Sequence, residues 1–117
     1  MPSSTVLHRA VISSRSLDAA LPVYEVGLGL AVEARADGFA SLRTGDGLEL
    51  MFHERPASAS DAAVALTFAV DGLDRAIERW TAAGGAVVDP PAAQPWGERM
   101  AVVRDADGHL VCLVESP

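Results

Sequence analysis

Three side chains that could contact a small molecule alternate along one short stretch of the chain. Glu49, Met51 and His53 are separated by leucine and phenylalanine, which is the two-residue period of a β-strand. A carboxylate and an imidazole suit a wet cavity better than a core, so we expect this set to line a cavity and the apolar set to pack beneath helices. Glu49 and His53 could form an acid–base pair, but two titratable groups on one strand do not define a catalytic centre, and a solvated strand face is the alternative.

Three further candidates lie in the second half of the chain. Trp96 follows a proline-rich segment and offers a flat surface on which a ring could stack; the alternative is that it packs its own loop onto the sheet. Glu98 and Arg99 face opposite ways on a strand, so we expect one of them at the cavity mouth. Cys112 is either a cavity residue or a small buried hydrophobe. The predicted ligand-binding set is Glu49, Met51, His53, Trp96, Arg99 and Cys112, with no catalytic residue assigned.

Apolar periodicity and turn residues predict a strand, a helix and three strands, followed by the same five elements again. The first series is a strand at 5–13, a helix from Ser16 to Gly29, and strands at 30–34, 39–43 and 48–54. The second is a strand at 63–70, a helix from 71 or 72 to 84–85, and strands at 86–89, 100–104 and 110–115. Residues 90–95 are predicted to be an extended loop and 105–109 a hairpin turn without chemistry. Pro22 is expected to bend the first helix or end it early.

The two series are an internal repeat at an offset of 56 residues. The matching pairs are Leu17 and Leu73, Ala20 and Ala76, Tyr24 and Trp80, Gly29 and Gly85, and Val32 and Val88. We therefore predict one α+β domain, residues 1–117, made of two βαβββ modules at about 5–54 and 63–115 joined by a linker at 55–62. The modules together would form a curved, concave eight-stranded mixed sheet with helices outside, and that concavity is the expected ligand site.

Composition excludes several classes of function. The 117 residues carry a net charge of −7, from 16 acidic residues and nine arginines, with no lysine. A nucleic-acid-binding protein needs a basic face, so we expect no nucleic-acid partner. No apolar run reaches the ~20 residues of a membrane span, and the N-terminus has no signal-peptide pattern. With one cysteine, these features predict a cytoplasmic protein.

Three segments resemble the vicinal oxygen chelate superfamily of glyoxalases, bleomycin-resistance proteins and dioxygenases. They are Ser16 to Leu30 (SLDAALPVYEVGLGL), Phe68 to Asp74 (FAVDGLD), and Gln94 to Gly97 (QPWG) with Val103 to His109 (VRDADGH). The chain departs from the family pattern at Ser16, Pro22 and Ala106. Members consist of paired βαβββ modules and usually dimerise, so the resemblance implies a homodimer.

Many members bind a divalent metal through a histidine on the first strand and a glutamate on the last strand of each module. Carried onto this chain, the first-strand positions fall on Arg9 and Ala65, with His8 one residue away. The last strands offer Glu49 or Met51, and Cys112 where the family has glutamate.

Few of the family's ligands are therefore present, and the resemblance implies a small-molecule-binding protein without a cofactor, similar to the bleomycin-resistance branch. Its ligand could be an antibiotic, and a cationic one would fit the acidic chain. The alternative is a lyase, isomerase or dioxygenase whose Zn, Ni, Mn or Fe is held by His8, Glu49 and Cys112. A third hypothesis is an accessory or regulatory module that acts mainly through its dimer interface.

Overall fold

Two βαβββ modules follow one another along the chain. In the computed structural model, which describes residues 3–117, the first comprises β1 (Arg9–Ser14), α1 (Leu17–Leu28), β2 (Ala31–Ala36), β3 (Phe39–Arg43) and β4 (Glu49–Glu54). The second comprises β5 (Leu66–Val70), α2 (Leu73–Ala82), β6 (Ala86–Ala93), β7 (Arg99–Arg104) and β8 (Leu110–Glu115). The predicted α+β fold of paired modules is confirmed.

The eight strands are divided equally between two mixed sheets, with the orders β1-β4-β3-β2 and β5-β8-β7-β6. In each sheet the first strand of the module pairs in parallel with the last, and the other pairs are antiparallel. β1 and β5 are therefore edge strands. Neither α1 nor α2 has the length and hydrophobicity to cross a bilayer, and the described residues contain no other helix.

Three strand boundaries differ from the sequence prediction by three residues or more. β1 begins at Arg9 rather than at residue 5, and β5 begins at Leu66 rather than at 63. β6 continues through Pro90 and Pro91 to Ala93, where a loop was expected. Prolines are tolerated there because β6 is at the sheet edge and its register shifts on either side of Asp89.

The prediction that α1 ends early at Pro22 was wrong. The helix continues to Leu28 because a proline removes only one backbone hydrogen bond and both helix ends are capped. The Ser16 side chain accepts from the Ala19 N–H, and Gly29 adopts the left-handed conformation, with φ of 70°, that ends the helix.

The last strand of each module also caps the helix of that module. Glu54, at the end of β4, accepts from the Leu17 N–H at 2.9 Å. Glu115, at the end of β8, accepts from the Gly72 and Leu73 N–H groups at 2.7 and 3.1 Å. Each carboxylate binds helix N–H groups that have no partner within the helix and lies at the positive end of the helix dipole.

A cluster of aromatic side chains joins the two modules. Tyr24 on α1 is fully buried and makes edge contacts with Phe52, Phe68 and Trp80, with ring centroids 4.9, 6.4 and 5.2 Å away. Gly27 allows the helices to approach, because a Cβ atom there would lie 2.9 Å from the Trp80 ring. The core is therefore continuous across both modules.

The turn between β7 and β8 connects the second module to the first. Asp105, which is 4% exposed, accepts from the Tyr24 hydroxyl at 2.7 Å through Oδ2. Its Oδ1 accepts from the Asp107 and His109 N–H groups, both at 2.9 Å. The hairpin turn predicted at 105–109 is thus present, and its first aspartate also reaches the core of the other module.

Two more side chains of this turn contact the first module. Asp107 accepts from the Arg15 backbone N–H at 2.8 Å and from its guanidinium at 3.3 Å. His109 Nδ1 accepts from the Ser60 N–H at 3.1 Å, which leaves Nε2 to donate to the Ser13 carbonyl at 2.7 Å. We call residues 105–109 the inter-module clamp.

Tyr24 should make stability sensitive to alkaline pH. Burial raises the pKa of Tyr24 well above its ordinary value, and the nearby Asp105 carboxylate adds to the effect. The folded protein therefore holds the phenolic proton more tightly than the unfolded chain, and this stability is lost as pH rises above about 10. We expect Tyr24→Phe to lower the free energy of unfolding by about 1–3 kcal/mol at pH 7, since a buried carboxylate oxygen loses its donor.

Urea unfolding at pH 7 and pH 11 measures both effects. The chain has one tyrosine and no lysine, so Tyr24→Phe should flatten the alkaline loss and the control Thr81→Ala, which removes no titratable group, should not. Equal alkaline losses in the wild type and in Tyr24→Phe would contradict the assignment.

Candidate ligand-binding site

The β4 side chains alternate between the core and the opposite side of the sheet. Leu50 and Phe52 are fully buried beneath the helices. Glu49, Met51 and His53 are half-buried on the face away from the helices, which we call the open face. In register beside them, β1 places Arg9 opposite Glu49, Val11 opposite Met51 and Ser13 opposite His53. The structure thus brings together the three β4 residues selected from the sequence.

Glu49 is held by two neighbours on this face. Arg9 Nε donates to Oε1 at 2.6 Å, and Ser41 Oγ donates to Oε2 at 2.7 Å. The Ser41 hydrogen bond, and next the Arg9 hydrogen bond, hold the pKa of Glu49 below its ordinary value. Each carboxylate oxygen accepts one hydrogen bond, and the charge of Glu49 already has Arg9 as its ion-pair partner.

His53 belongs to a second polar group at the other end of β1 and β4. Arg55 Nη1 lies 2.9 Å from His53 Nδ1, and Arg55 Nε donates to Ser13 Oγ at 2.8 Å. Ser13 and Arg55 were not among the residues selected from the sequence. The sequence did contain a pattern that could have identified Arg55. This residue lies two positions after His53 and so continues the alternation of Glu49, Met51 and His53.

Within residues 3–117, the residues to which the resemblance assigns metal binding are not grouped together. Arg9 stands where the resemblance places a first-strand ligand, and its guanidinium binds Glu49 instead. His8 is exposed ahead of β1, whose pairing with β4 is uninterrupted, so no bulge turns His8 toward Glu49. Cys112 lies in the other sheet, between Thr67 and Val102. Within residues 3–117, no three His, Cys, Asp or Glu side chains are grouped so that they could hold a metal ion.

Arg99 and Trp96 lie away from the Glu49 group. Arg99 shares a strand face with the buried Ala101 and Val103, and its guanidinium binds Asp74 on α2 at 3.0 and 3.3 Å. It therefore lies on the helix side, and Met100 takes the open face. Trp96 is 62% exposed in the β6–β7 turn, where its Nε1 donates to Glu98 at 2.9 Å.

A crevice separates the β1 edge of the first sheet from the second module. Its volume is about 380 Å³, and Tyr24 and Ile12 are at its floor. Val11 and Ser13 line one wall and Leu66 and Leu110 the other, while linker residues 56–58 and 60 close the side. The sequence predicted the linker only as a connection between the modules. Its amino-acid composition does not indicate that it lines a crevice.

The ionisation of Glu49 tests the geometry of the open face. We expect Ser41→Ala and Arg9→Gln each to raise the pKa of Glu49, because each removes a hydrogen bond to the charged form. Carbon-13 NMR titration of the side-chain carboxyl measures this directly. Thr81→Ala, on the exposed side of α2, is the matched control and should leave the titration unchanged; an unchanged pKa in both test variants would contradict the contacts.

Several solved structures share the fold of this chain. A glyoxalase-related enzyme from Fulvimarina pelagi is 23% identical, with a TM-score of 0.82 over 98% of this chain and 90% of that one. A glyoxalase/bleomycin resistance protein/dioxygenase family enzyme from Burkholderia phytofirmans PsJN is 20% identical, with a TM-score of 0.81 over 95% and 98%. TioX from Micromonospora sp. ML1 is 26% identical, with a TM-score of 0.73 over 95% and 98%.

At these identities the first two structures establish the fold alone. No curated protein matches the chain in sequence. The family model of the Glyoxalase/Bleomycin resistance protein/Dioxygenase superfamily, however, matches residues 6–113. The chain belongs to the glyoxalase/bleomycin resistance protein/dioxygenase superfamily.

Proposed function

We propose that this protein binds a small organic molecule, without a metal, in the crevice between its two modules and on the adjoining open face. The observation that carries the proposal is the Arg9–Glu49–Ser41 group. It places an internal ion pair where metal-using members would need free ligands. Binding rather than chemical conversion is then the function that these residues support.

The crevice has the size and lining of a ligand site. Small-molecule pockets measure roughly 300–1,000 Å³ and combine apolar walls with a few polar groups. Here Val11, Leu66 and Leu110 supply apolar surface, and the Ser13 hydroxyl supplies a polar group at the edge. Val64 is exposed at the same crevice, so an apolar ligand would remove additional hydrophobic surface from water.

We propose that the working form is a homodimer in the cytoplasm. β1 and β5 each pair on one side only within residues 3–117, which leaves a row of backbone donors and acceptors open on each. The exposed apolar residues Val6, Leu7, Val11 and Val64 lie on or just before these edges. A second copy of the chain that covers them would complete the site from both sides.

A neutral fluorescent probe tests the binding proposal. N-phenyl-1-naphthylamine, which brightens in apolar sites, should bind saturably and equally well with and without EDTA. Val11→Gln should weaken that binding about tenfold, since it places an amide on the crevice wall.

Val26→Gln is the matched control, because Val26 on α1 is 50% exposed, as is Val11. It should leave probe binding unchanged. Absence of saturable binding, or equal weakening by the two substitutions, would overturn the proposal.

A further inference from the structure

We propose that Ser13, His53 and Arg55 form a subsite for an anionic oxygen, and that the ligand is a carboxylic acid with an apolar body. We call these three residues the donor cluster. The inference rests on the proposed binding function and specifies the chemical class of the ligand. It replaces the cationic ligand suggested by the overall charge.

The donor cluster is held by the ends of β1 and β4. Arg55 follows β4 directly, and its backbone N–H donates to the Ser14 carbonyl at 2.8 Å. This bond extends the pairing of β1 with β4 by one residue and holds the Arg55 backbone in place at the end of β4. The guanidinium then donates through Nε to Ser13 Oγ and through Nη1 to His53 Nδ1, at 2.8 and 2.9 Å.

These contacts leave donor groups of the cluster without a partner. His53 Nδ1 accepts from the permanently charged guanidinium, so the imidazole proton is on Nε2. Ser13 Oγ accepts from Arg55, so its own O–H is free to donate. Within residues 3–117 neither Arg55 Nη2 nor His53 Nε2 has a hydrogen-bond partner. The Ser13 hydroxyl and the free Arg55 Nη2 can therefore face one oxygen acceptor, while His53 Nδ1 orients the guanidinium from its other side.

The charge of Arg55 is not balanced by an acid. Arg9, Arg15, Arg35, Arg43 and Arg99 each bind a carboxylate. Arg55 instead binds a hydroxyl and an imidazole, both neutral. In a chain of net charge −7, this leaves a positive charge on the open face. A guanidinium with a free Nη edge matches the geometry of a carboxylate.

The carboxylates nearest the donor cluster already have partners. Glu49 binds Arg9 and Ser41, and Glu54 accepts from the Leu17 N–H at the start of α1. Within residues 3–117, neither carboxylate forms an ion pair with Arg55. A cationic ligand at the donor cluster would face the charge of Arg55.

The position of the donor cluster sets the shape of the ligand. Ser13 lines the 380 Å³ crevice, as do Pro56 and Ala57, which follow Arg55. A ligand whose carboxylate meets Arg55 can extend its other end between Val11 and Leu66. This combination of an acid group at the rim and apolar walls beyond it fits a monocarboxylic acid with an aromatic or aliphatic body.

Paired probes that differ only in charge test the subsite. We expect 2-naphthoate to bind at least tenfold more tightly than neutral 2-naphthamide by isothermal titration calorimetry. Arg55→Gln should remove that preference and leave 2-naphthamide binding unchanged, and Arg55→Lys should keep part of it. Arg75→Gln removes the same charge from α2 and is the control, which should retain the full preference.

The outcomes separate the subsite from the binding function. Equal affinity for the two probes, or equal effects of Arg55→Gln and Arg75→Gln, would overturn the anion subsite while leaving binding in the crevice intact. If neither probe binds and N-phenyl-1-naphthylamine does not bind either, the binding function itself is wrong. Nitrogen-15 NMR of His53 gives a readout independent of affinity: a protonated Nδ1 in the free protein would overturn the subsite.

Discussion

The buried hydrogen bond from the Tyr24 hydroxyl to Asp105 is the contact on which the arrangement of the two modules depends. It crosses from α1 to the inter-module clamp, and it lies within an aromatic cluster that also contains Trp80. Burying a carboxylate is costly unless every oxygen is bound, and Asp105 meets that condition only when both modules are in place. The width of the crevice is therefore fixed by a polar contact inside an apolar junction.

Charge pairing on the open face decides what chemistry the fold can support here. Glu49 is a residue type suited to acid–base work or metal binding, but Arg9 and Ser41 occupy both of its oxygens. Arg55 is an open-face cation whose partners are a hydroxyl and an imidazole, and it lies outside every motif of the superfamily noted in the sequence. We propose that these contacts suit the open face to recognising an anion rather than to holding a metal ion.

Much of the fold could be predicted because the same order of strands and helix occurs twice along the sequence. The 56-residue offset identified two modules, and alternation in β4 placed Leu50 and Phe52 in the core. Contacts between distant segments could not be predicted. Arg99 binds Asp74 on α2, which is 25 residues away in the chain, and the clamp contacts Tyr24 and Ser13 of the other module. Neither relation has a local pattern, and β6 passes two prolines only because its edge position leaves their missing N–H groups without consequence.

The most direct test of metal-free binding is the metal content of the protein that binds ligand. Protein purified without chelators or a histidine tag would be measured by inductively coupled plasma mass spectrometry, before and after dialysis against Zn²⁺, Ni²⁺, Mn²⁺ or Fe²⁺. We expect far less than one metal ion per chain in every sample, since Glu49 keeps Arg9 and Ser41 as its partners. One tightly held ion per chain, lost together with probe binding on chelation, would contradict the metal-free site.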